Sequence, residues 1–282
     1  MKRIWKSLVC AVLSVAMVFA LAACGGGYEA KMVKIEGLEI EAYGIAVQKG
    51  QDAELLAEIN KVIADWTDGD AGETKIDELV EYYSAVYDDE EAEAPFTLYL
   101  EGDKNASNKI VMATESGFAP FEFSLDEKTV IGVDVAIMGQ VAKNLGKKLE
   151  VLDIDFNSLN ESLLASGRAD CIAAGFTITT ERAEKMDFSN KYFTSTQYIV
   201  CEADAEIDSL DDLKGEKIGA QIGTTGAILV ADEISSGVLK DSGAELKEYT
   251  NAPTAFEDLK KGTIKAIVVD AVPATCLVAK TK

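Results

Sequence analysis

Two short segments carry side chains that could together hold a molecule with a carboxylate and an ammonium group. In the first segment, Gly175 permits a sharp turn after a buried strand predicted over 169–173. Thr177 and Arg182 follow the turn and offer a hydroxyl and a planar guanidinium. Charge-assisted and bidentate hydrogen bonds from such groups suit a small carboxylate. An ordinary capped helix with a surface arginine is the alternative explanation.

The second segment is the apolar run 266–269, which ends in Asp270. In α/β folds ligands gather at the carboxyl ends of strands, where a carboxylate can accept hydrogen bonds from an ammonium group. By itself, an aspartate after a strand is often only part of a turn or a helix cap. Taken with Arg182, it predicts a zwitterion site in which Arg182 holds the α-carboxylate and Asp270 holds the α-ammonium group.

Three longer segments carry motifs that resemble a known family. They are 109–123, which contains Phe-Ala-Pro-Phe-Glu-Phe, then Ile-Gly-Val-Asp-Val at 131–135, and the stretch 175–188. Together they resemble the polar amino-acid receptors of ABC importers, the family 3 solute-binding proteins. The resemblance implies an α/β protein with the two-lobed type II periplasmic-binding-protein fold, which closes on one amino acid.

The resemblance also implies a ligand site shared by both lobes. The positions that match those of the family for the α-carboxylate are Gly175, Thr177 and Arg182, and the position for the α-ammonium group is Asp270. Thr225, in the glycine-containing turn 217–226, is expected to donate to the same carboxylate. This turn is not a phosphate loop, because no Gly-Lys-Ser/Thr follows it.

Selectivity for the ligand side chain is expected from Glu115, Phe118, Phe156 and Gln221. The two phenylalanines could sandwich the ligand stem, although ordinary core packing would also explain them. Glu115 stands where relatives commonly carry aspartate. An acid there favours a cationic or amide side chain and disfavours glutamate, because a buried like charge is costly. Gln221 could bind an amide, so the choice between glutamine and a basic amino acid stays open.

The amino terminus predicts export and lipidation. A basic stretch at 2–6 precedes an apolar region at 8–20 that is too short for a stable spanning helix. The sequence Leu-Ala-Ala-Cys then ends at Cys24 and resembles a lipobox. We therefore expect residues 1–23 to be a signal peptide, Cys24 to be acylated, and 24–27 to form a flexible tether to the cell membrane. A plain signal peptide with an incidental cysteine is the alternative.

The composition argues against several other functions. The chain has 282 residues and a net charge of −22, which argues against binding nucleic acid. Because it contains no histidine, the usual general base and every Ser-His or Cys-His pair are excluded. Without close cysteine spacing, a metal site is not expected either, and no cofactor is implied. Cys171, Cys201 and Cys276 are expected to be buried free thiols.

The order of the segments differs from that of the family. A strand with Tyr-Gly-Ile-Ala-Val at 43–47, a helix over 52–66 and a helix over 76–83 resemble the elements that normally end a family member. Here they come first. A circular permutation in which 84–108 joins the old termini would explain this order. The alternative is a truncated chain preceded by an unrelated domain.

The permutation predicts a specific division of the chain. Lobe one would run over 41–191 and include the linker 84–108, lobe two would combine 28–40 with 197–282, and the hinges would lie near 38–43 and 192–196. Two extended crossings suit a hinge, since few residues then absorb the change in angle. Strand 43–47 should lie beside strand 169–173, and segment 33–40 should join lobe two near Cys276.

The predicted function is therefore that of a lipid-anchored extracytoplasmic receptor that delivers a polar amino acid to the permease of an ABC importer. Two other classes compete with this hypothesis. An enzyme is possible because dehydratases share the fold, and Glu115 could act as a general acid. A ligand-binding sensory module is the third, but no membrane-spanning or signalling segment follows Lys282.

Overall fold

The computed structural model describes residues 28–69 and 74–281. The predicted signal peptide 1–23, Cys24 and the tether 24–27 lie outside the described residues. Within those residues, no helix combines the length and the apolar character needed to span a bilayer.

The described chain alternates strands and helices. The strands are β1 (Ala30–Lys34), β2 (Glu41–Tyr43), β3 (Ala46–Gln48), β4 (Lys109–Thr114), β5 (Gly117–Phe118), β6 (Glu122–Ser124), β7 (Val130–Ile131), β8 (Lys148–Asp153), β9 (Cys171–Ile172), β10 (Met186–Phe188), β11 (Phe193–Ser195), β12 (Gln197–Glu202), β13 (Lys217–Gln221), β14 (Glu245–Tyr249) and β15 (Ala266–Asp270). The helices are α1 (Ala53–Thr67), α2 (Lys75–Tyr87), α3 (Val133–Asn144), α4 (Glu161–Ala165), α5 (Thr180–Lys185), α6 (Thr225–Ser235), α7 (Ala252–Lys260) and α8 (Ala271–Ala279).

One five-stranded sheet, the lobe-one sheet, has the order β10-β3-β9-β4-β8. Strand β4 is parallel to β8 and β9, whereas β3 is antiparallel to β9 and β10. Ala46 and Val47 lie opposite Ile172 and Cys171, so the early strand does pair with the strand predicted over 169–173. That strand is shorter than predicted and spans only Cys171 and Ile172.

The other five-stranded sheet, the lobe-two sheet, has the order β1-β12-β15-β13-β14. Strand β1 pairs antiparallel with β12 along its whole length, from Ala30 opposite Glu202 to Lys34 opposite Tyr198. Helix α8 packs against β1, and the Thr275 hydroxyl lies 3.5 Å from the Met32 sulfur. Residues 30–34 therefore join lobe two as an edge strand, whereas most of the segment predicted over 33–40 lies beyond that strand.

Two short strands link the sheets. Residues 43–47, predicted as one strand, divide at Gly44 and Ile45, so that Tyr43 ends β2 and Ala46 begins β3. Strand β2 does not enter the lobe-one sheet and pairs antiparallel with β11, with Glu41 opposite Ser195. The two predicted crossings thus lie side by side, and we call this pair the crossing ladder.

Helix α1 forms where its apolar positions fall on one face. Leu55, Ile59, Val62, Ile63 and Trp66 are buried, and the helix packs against α3. Helix α2 begins with a capping box, in which Thr74 and Asp77 satisfy each other's backbone N–H groups. These contacts place both early helices in the same apolar core as β4 and α3.

The segment predicted as a linker over 84–108 begins later than expected, because α2 continues to Tyr87. Residues 90–95 are exposed, as expected for an acidic linker. Beyond them, Phe96 packs edge-on against Trp66 with ring centroids 5.2 Å apart. The segment therefore covers part of the apolar core. Cys171, Cys201 and Cys276 are buried and form no disulfide among the described residues, as predicted.

Candidate functional site

The loop after β9 adopts a conformation that depends on Gly175. Gly175 has a φ of 52°, and its N–H donates to Asp134 Oδ2 at 2.8 Å. A Cβ atom at this position would lie 2.5 Å from the ring of Phe118. Only glycine combines the left-handed backbone with this close ring contact. The loop then runs along the crossing ladder, where the Ile178 N–H donates to the Ala42 carbonyl.

Two buried carboxyl groups lie behind this loop. Asp134, near the start of α3, and Glu122, in β6, are both fully buried. Burial raises the pKa of Asp134 to about 6, and burial together with the Asp134 charge holds the pKa of Glu122 well above its usual range. The Asp134 side chain therefore holds the loop in place, although this requires an ionisable group to be buried in the core.

Arg182 lies in the first turn of α5, which Thr179 caps by accepting from the Arg182 N–H at 3.2 Å. Its guanidinium donates to the Thr177 carbonyl at 2.9 Å and to the Gly223 carbonyl, beyond β13, at 3.1 Å. It also lies 4.0 Å above the Phe176 ring centre. Burial lowers its pKa to about 10, so it stays charged at neutral pH.

The hydroxyls of Thr177 and Thr225 converge from the two lobes on one carboxylate, that of Glu41. Each donates to Glu41 Oε2 at 2.8 Å. The side-chain amide of Gln197 donates to Glu41 Oε1 at 3.0 Å. Two of the donors that the sequence predicts for a ligand carboxylate, Thr177 and Thr225, therefore come together on a carboxylate of the chain itself, whereas Arg182 and Gly175 donate elsewhere.

Asp270 ends β15 and is buried beside these side chains. We use the name cluster for Glu41, Tyr43, Thr177, Gln197, Thr225 and Asp270. Its Oδ1 accepts from the Tyr43 hydroxyl at 2.5 Å, and its Oδ2 accepts from the Gln197 amide at 3.0 Å. Burial, and secondly the charge of Glu41, raise the pKa of Asp270 to about 6. A cation beside it would favour the ionised form.

Glu115 and Gln221 meet across the lobes. The Gln221 amide donates to Glu115 Oε2 at 2.7 Å and to the Thr250 carbonyl at 2.9 Å. Burial raises the pKa of Glu115 to about 7, although the bond from Gln221 acts in the opposite direction. The carboxyl group can thus accept as an ion or donate as an acid near neutral pH.

The two predicted aromatic residues have different ring partners. Phe118 lies beside Tyr43 and Phe121, with centroids 6.4 Å and 6.0 Å away. Phe156 packs edge-on against Phe176 at 5.7 Å. Its ring also faces the Arg182 guanidinium at 5.6 Å. That the two rings sandwich a ligand stays a prediction.

A small cavity remains inside the cluster. It has a volume of about 10 Å³ and is lined by Phe118, Gln197, Gln221 and Asp270, among others. This is room for about one water molecule, so an amino acid can enter only if the lobes separate. A larger cavity of about 220 Å³ is lined by Phe156 and Arg182, but Thr177, Thr225 and Asp270 do not line it. We therefore place the candidate site at the cluster, where opposite lobes supply complementary groups.

Sequence reasoning did not find three polar residues of the cluster. Glu41 and Tyr43 belong to β2, and Gln197 begins β12, directly after the other crossing. Glu41 and Tyr43 lie in one predicted hinge and Gln197 directly follows the other, which was the available signal. Gln197 is almost fully buried and donates to Thr225 at 3.3 Å as well as to both carboxylates. In contrast, all nine predicted ligand-binding residues lie between 115 and 270.

Comparison with known proteins places the chain among binding proteins. The arginine-binding extracellular protein ArtP of Bacillus subtilis (strain 168) is 30% identical over 173 residues, which are 61% of this chain and 65% of that protein. The chain thus spans less than two thirds of the length of this curated relative.

Solved structures show the same similarity. An ancestral arginine-binding protein bound to arginine superposes with a TM-score of 0.57 at 36% identity, over 62% of this chain and 76% of that one. The ancestral amino-acid-binding protein AncCDT-1, a precursor of cyclohexadienyl dehydratase, gives a TM-score of 0.55 at 28% identity, over 61% and 74% of the two chains.

A family model matches residues 110–270, which are more than half of the chain and include all nine predicted ligand-binding residues. The matched region contributes strands to both five-stranded sheets. The chain belongs to the bacterial extracellular solute-binding proteins, family 3.

Proposed function

We propose that this protein is a receptor that binds one free polar amino acid between its lobes and delivers it to the permease of an ABC importer. The observation that carries the proposal is that the hydroxyls of Thr177 and Thr225 converge from opposite lobes on the Glu41 carboxylate. Beside them, Arg182 donates across to Gly223 of lobe two, and Asp270 accepts from Gln197. Hydroxyl and guanidinium donors suit the α-carboxylate, and the aspartate suits the α-ammonium group. A ligand that bridges both sets would favour contact between the lobes.

We propose that the ligand has a cationic side chain. Glu115 is buried, its pKa is raised to about 7, and it accepts a hydrogen bond from Gln221 of the opposite lobe. A cation would stabilise the ionised carboxylate, whereas glutamate would place a like charge beside it. The arginine-binding relatives support this choice. Glutamine is the second candidate, because both Glu115 and Gln221 can form hydrogen bonds with an amide.

The proposed place of action is outside the cytoplasm, at the cell membrane. Export through the signal peptide 1–23 and acylation of Cys24 would leave the tether 24–27 between the lipid and the folded lobes. The similarity to an extracellular binding protein supports this location. No metal, cofactor or nucleic acid takes part in the proposed function.

We also propose that the chain is a circular permutant of its family. Strand β3, which lies outside the residues that the family model matches, pairs with β9 and β10, which lie inside them, and this pairing supports the interpretation. The proposed hinges are the two strands of the crossing ladder, at the predicted positions 38–43 and 192–196. A reordered chain, 109–281 followed by 28–87, should fold and keep the same ligand preference. Failure of that chain to fold would count against the permutation.

Isothermal titration calorimetry of the purified protein against the twenty amino acids tests the proposed function. We expect one ligand per chain, with arginine or lysine bound most tightly and glutamate bound weakly. N-acetylated arginine should bind far more weakly, because it lacks the ammonium group that Asp270 would hold. Binding of none of the twenty would refute the amino-acid receptor.

An enzyme is the second candidate function, because one structural relative is a precursor of a dehydratase and Glu115 has a pKa near neutrality. Incubation with the tightest-binding amino acid distinguishes the two. A receptor returns the ligand unchanged after hours, as measured by mass spectrometry. A new product that forms in proportion to protein concentration would favour the enzyme.

A further inference from the structure

We propose that Glu41 is an internal competitor, whose carboxylate binds the same hydroxyls that bind the α-carboxylate of the ligand. This inference rests on the proposed function. It starts from the three hydrogen bonds that Glu41 accepts, from Thr177 and Thr225 at 2.8 Å and from Gln197 at 3.0 Å. No residue of the family match carries this group, since Glu41 lies before residue 110.

The bonds to Glu41 connect all three parts of the fold. Thr177 follows the lobe-one sheet, Thr225 begins α6 on lobe two, and Glu41 belongs to the crossing ladder. Its carboxylate therefore ties the two lobes together through charge-assisted hydrogen bonds. A ligand carboxylate bound to both threonines would make the same connection.

Glu41 and a ligand cannot use these donors at once. Each threonine hydroxyl has a single proton, so it can donate to only one carboxylate at a time. Glu41 is only partly buried, and its backbone is held in β2 opposite Ser195. Rotation of the side chain can therefore release both threonines without a change in the ladder.

The neighbouring charges favour such a release when a ligand binds. Glu41 lies close enough to Asp270 to raise the pKa of the Asp270 carboxyl group, after burial the second cause of that shift. A ligand would replace Glu41 with a carboxylate that brings its own ammonium group. Glu41 thereby weakens the apparent affinity for the ligand. Only the molecules in which Glu41 has released the threonines can bind the ligand carboxylate there, so the apparent Kd rises as that fraction falls.

Substitution of Glu41 tests the competition by calorimetry with arginine and with glutamine. Glu41→Ala should tighten the binding of both by about tenfold, within the usual range of intramolecular coupling. Glu41→Gln should have a smaller effect, since the amide oxygen can still accept from a threonine. Glu39→Ala is the matched control, because Glu39 is an exposed acid two residues earlier. Unchanged or weaker binding in Glu41→Ala would overturn the proposal.

Small-angle X-ray scattering without any amino acid gives a readout that does not depend on the proposed function. Glu41→Ala should increase the radius of gyration relative to Glu39→Ala, because a connection between the lobes is lost. An unchanged radius overturns the proposal even if ligands bind. If no amino acid binds to any variant but the radius still increases, the proposed function fails and the role of Glu41 as a link between the lobes stands.

Discussion

The substitution Glu115→Gln is expected to weaken the binding of a cationic ligand far more than the binding of a neutral one. In the protein, burial raises the pKa of Glu115 from 4.5 to about 7. A guanidinium or ammonium group at hydrogen-bond distance would restore the ionised form, because an opposite charge offsets the desolvation penalty. The glutamine side chain keeps the size and the hydrogen-bonding capacity of Glu115 but can never become charged.

The magnitude follows from the size of the pKa shift. A shift from 4.5 to about 7 corresponds to roughly 3 kcal/mol between the two protonation states. A cation that recovers most of this difference contributes about 2–3 kcal/mol, or roughly 30- to 150-fold in Kd. Glu115→Gln should therefore weaken arginine binding by this factor, and glutamine binding by less than about threefold, since neutral hydrogen bonds contribute little net energy.

The pH dependence gives the same test without a mutation. Glu115 is protonated below its pKa of about 7, so arginine affinity should fall as pH decreases below 7 and stay constant above about 8. Asp270, with a pKa of about 6, titrates in the same range. Its protonation would lower the affinity for both ligands alike, because both carry the ammonium group that Asp270 would hold. The ratio of arginine to glutamine affinity therefore isolates Glu115.

Calorimetry at pH 5.5, 7.0 and 8.5 would measure these effects for the wild type and for Glu115→Gln. Glu127→Gln is the matched control, because Glu127 is an exposed acid in the same lobe. Equal losses for arginine and glutamine in Glu115→Gln would refute the reasoning. So would an affinity ratio that does not change with pH in the wild type.

Three further predictions concern the loop after β9 and its support. Arg182→Ala should weaken amino-acid binding by about 3–5 kcal/mol, the usual cost when a buried charge loses its partner. Substitution of the exposed Arg168 by alanine is the control and should not weaken binding. A loss of affinity below about threefold in Arg182→Ala, measured by calorimetry, would place Arg182 outside the site. Asp134→Asn should flatten the fall in the free energy of unfolding between pH 4.5 and 7.5 by roughly 2 kcal/mol. The reason is that the native state binds an extra proton below the raised pKa of about 6, and this stabilisation is lost as pH rises. Chemical denaturation at these two pH values measures the effect, and an unchanged difference contradicts it. Gly175→Ala should lower the melting temperature more than Gly167→Ala. Both glycines have a positive φ, but only a Cβ on Gly175 would contact an aromatic ring. Equal shifts in melting temperature would show that the Phe118 ring can move aside without loss of stability.

Much of the fold followed from local pattern. The apolar face of α1 and the turn at Gly175 depend on residues a few positions apart, so the sequence specifies them directly. The two sheets followed from the family resemblance, which the family match and the solved relatives confirm. The early strand, predicted over 43–47 and found over 46–48, was expected to complete the lobe-one sheet because a lone strand and helix cannot bury their apolar faces.

The contacts at the centre of the site depend on the tertiary structure. Glu41 meets Thr225 across 184 positions of sequence, and Tyr43 meets Asp270 across 227. No periodicity links residues so far apart, and a polar residue in a short strand has no local signature of the partner it will find. The division of residues 41–47 into two strands has the same cause, since β2 pairs with β11 while β3 pairs with β9 and β10. The residue types that suit a zwitterion could be read from the sequence alone, but the carboxylate that shares their donors is known only because the crossing ladder brings it between the two lobes.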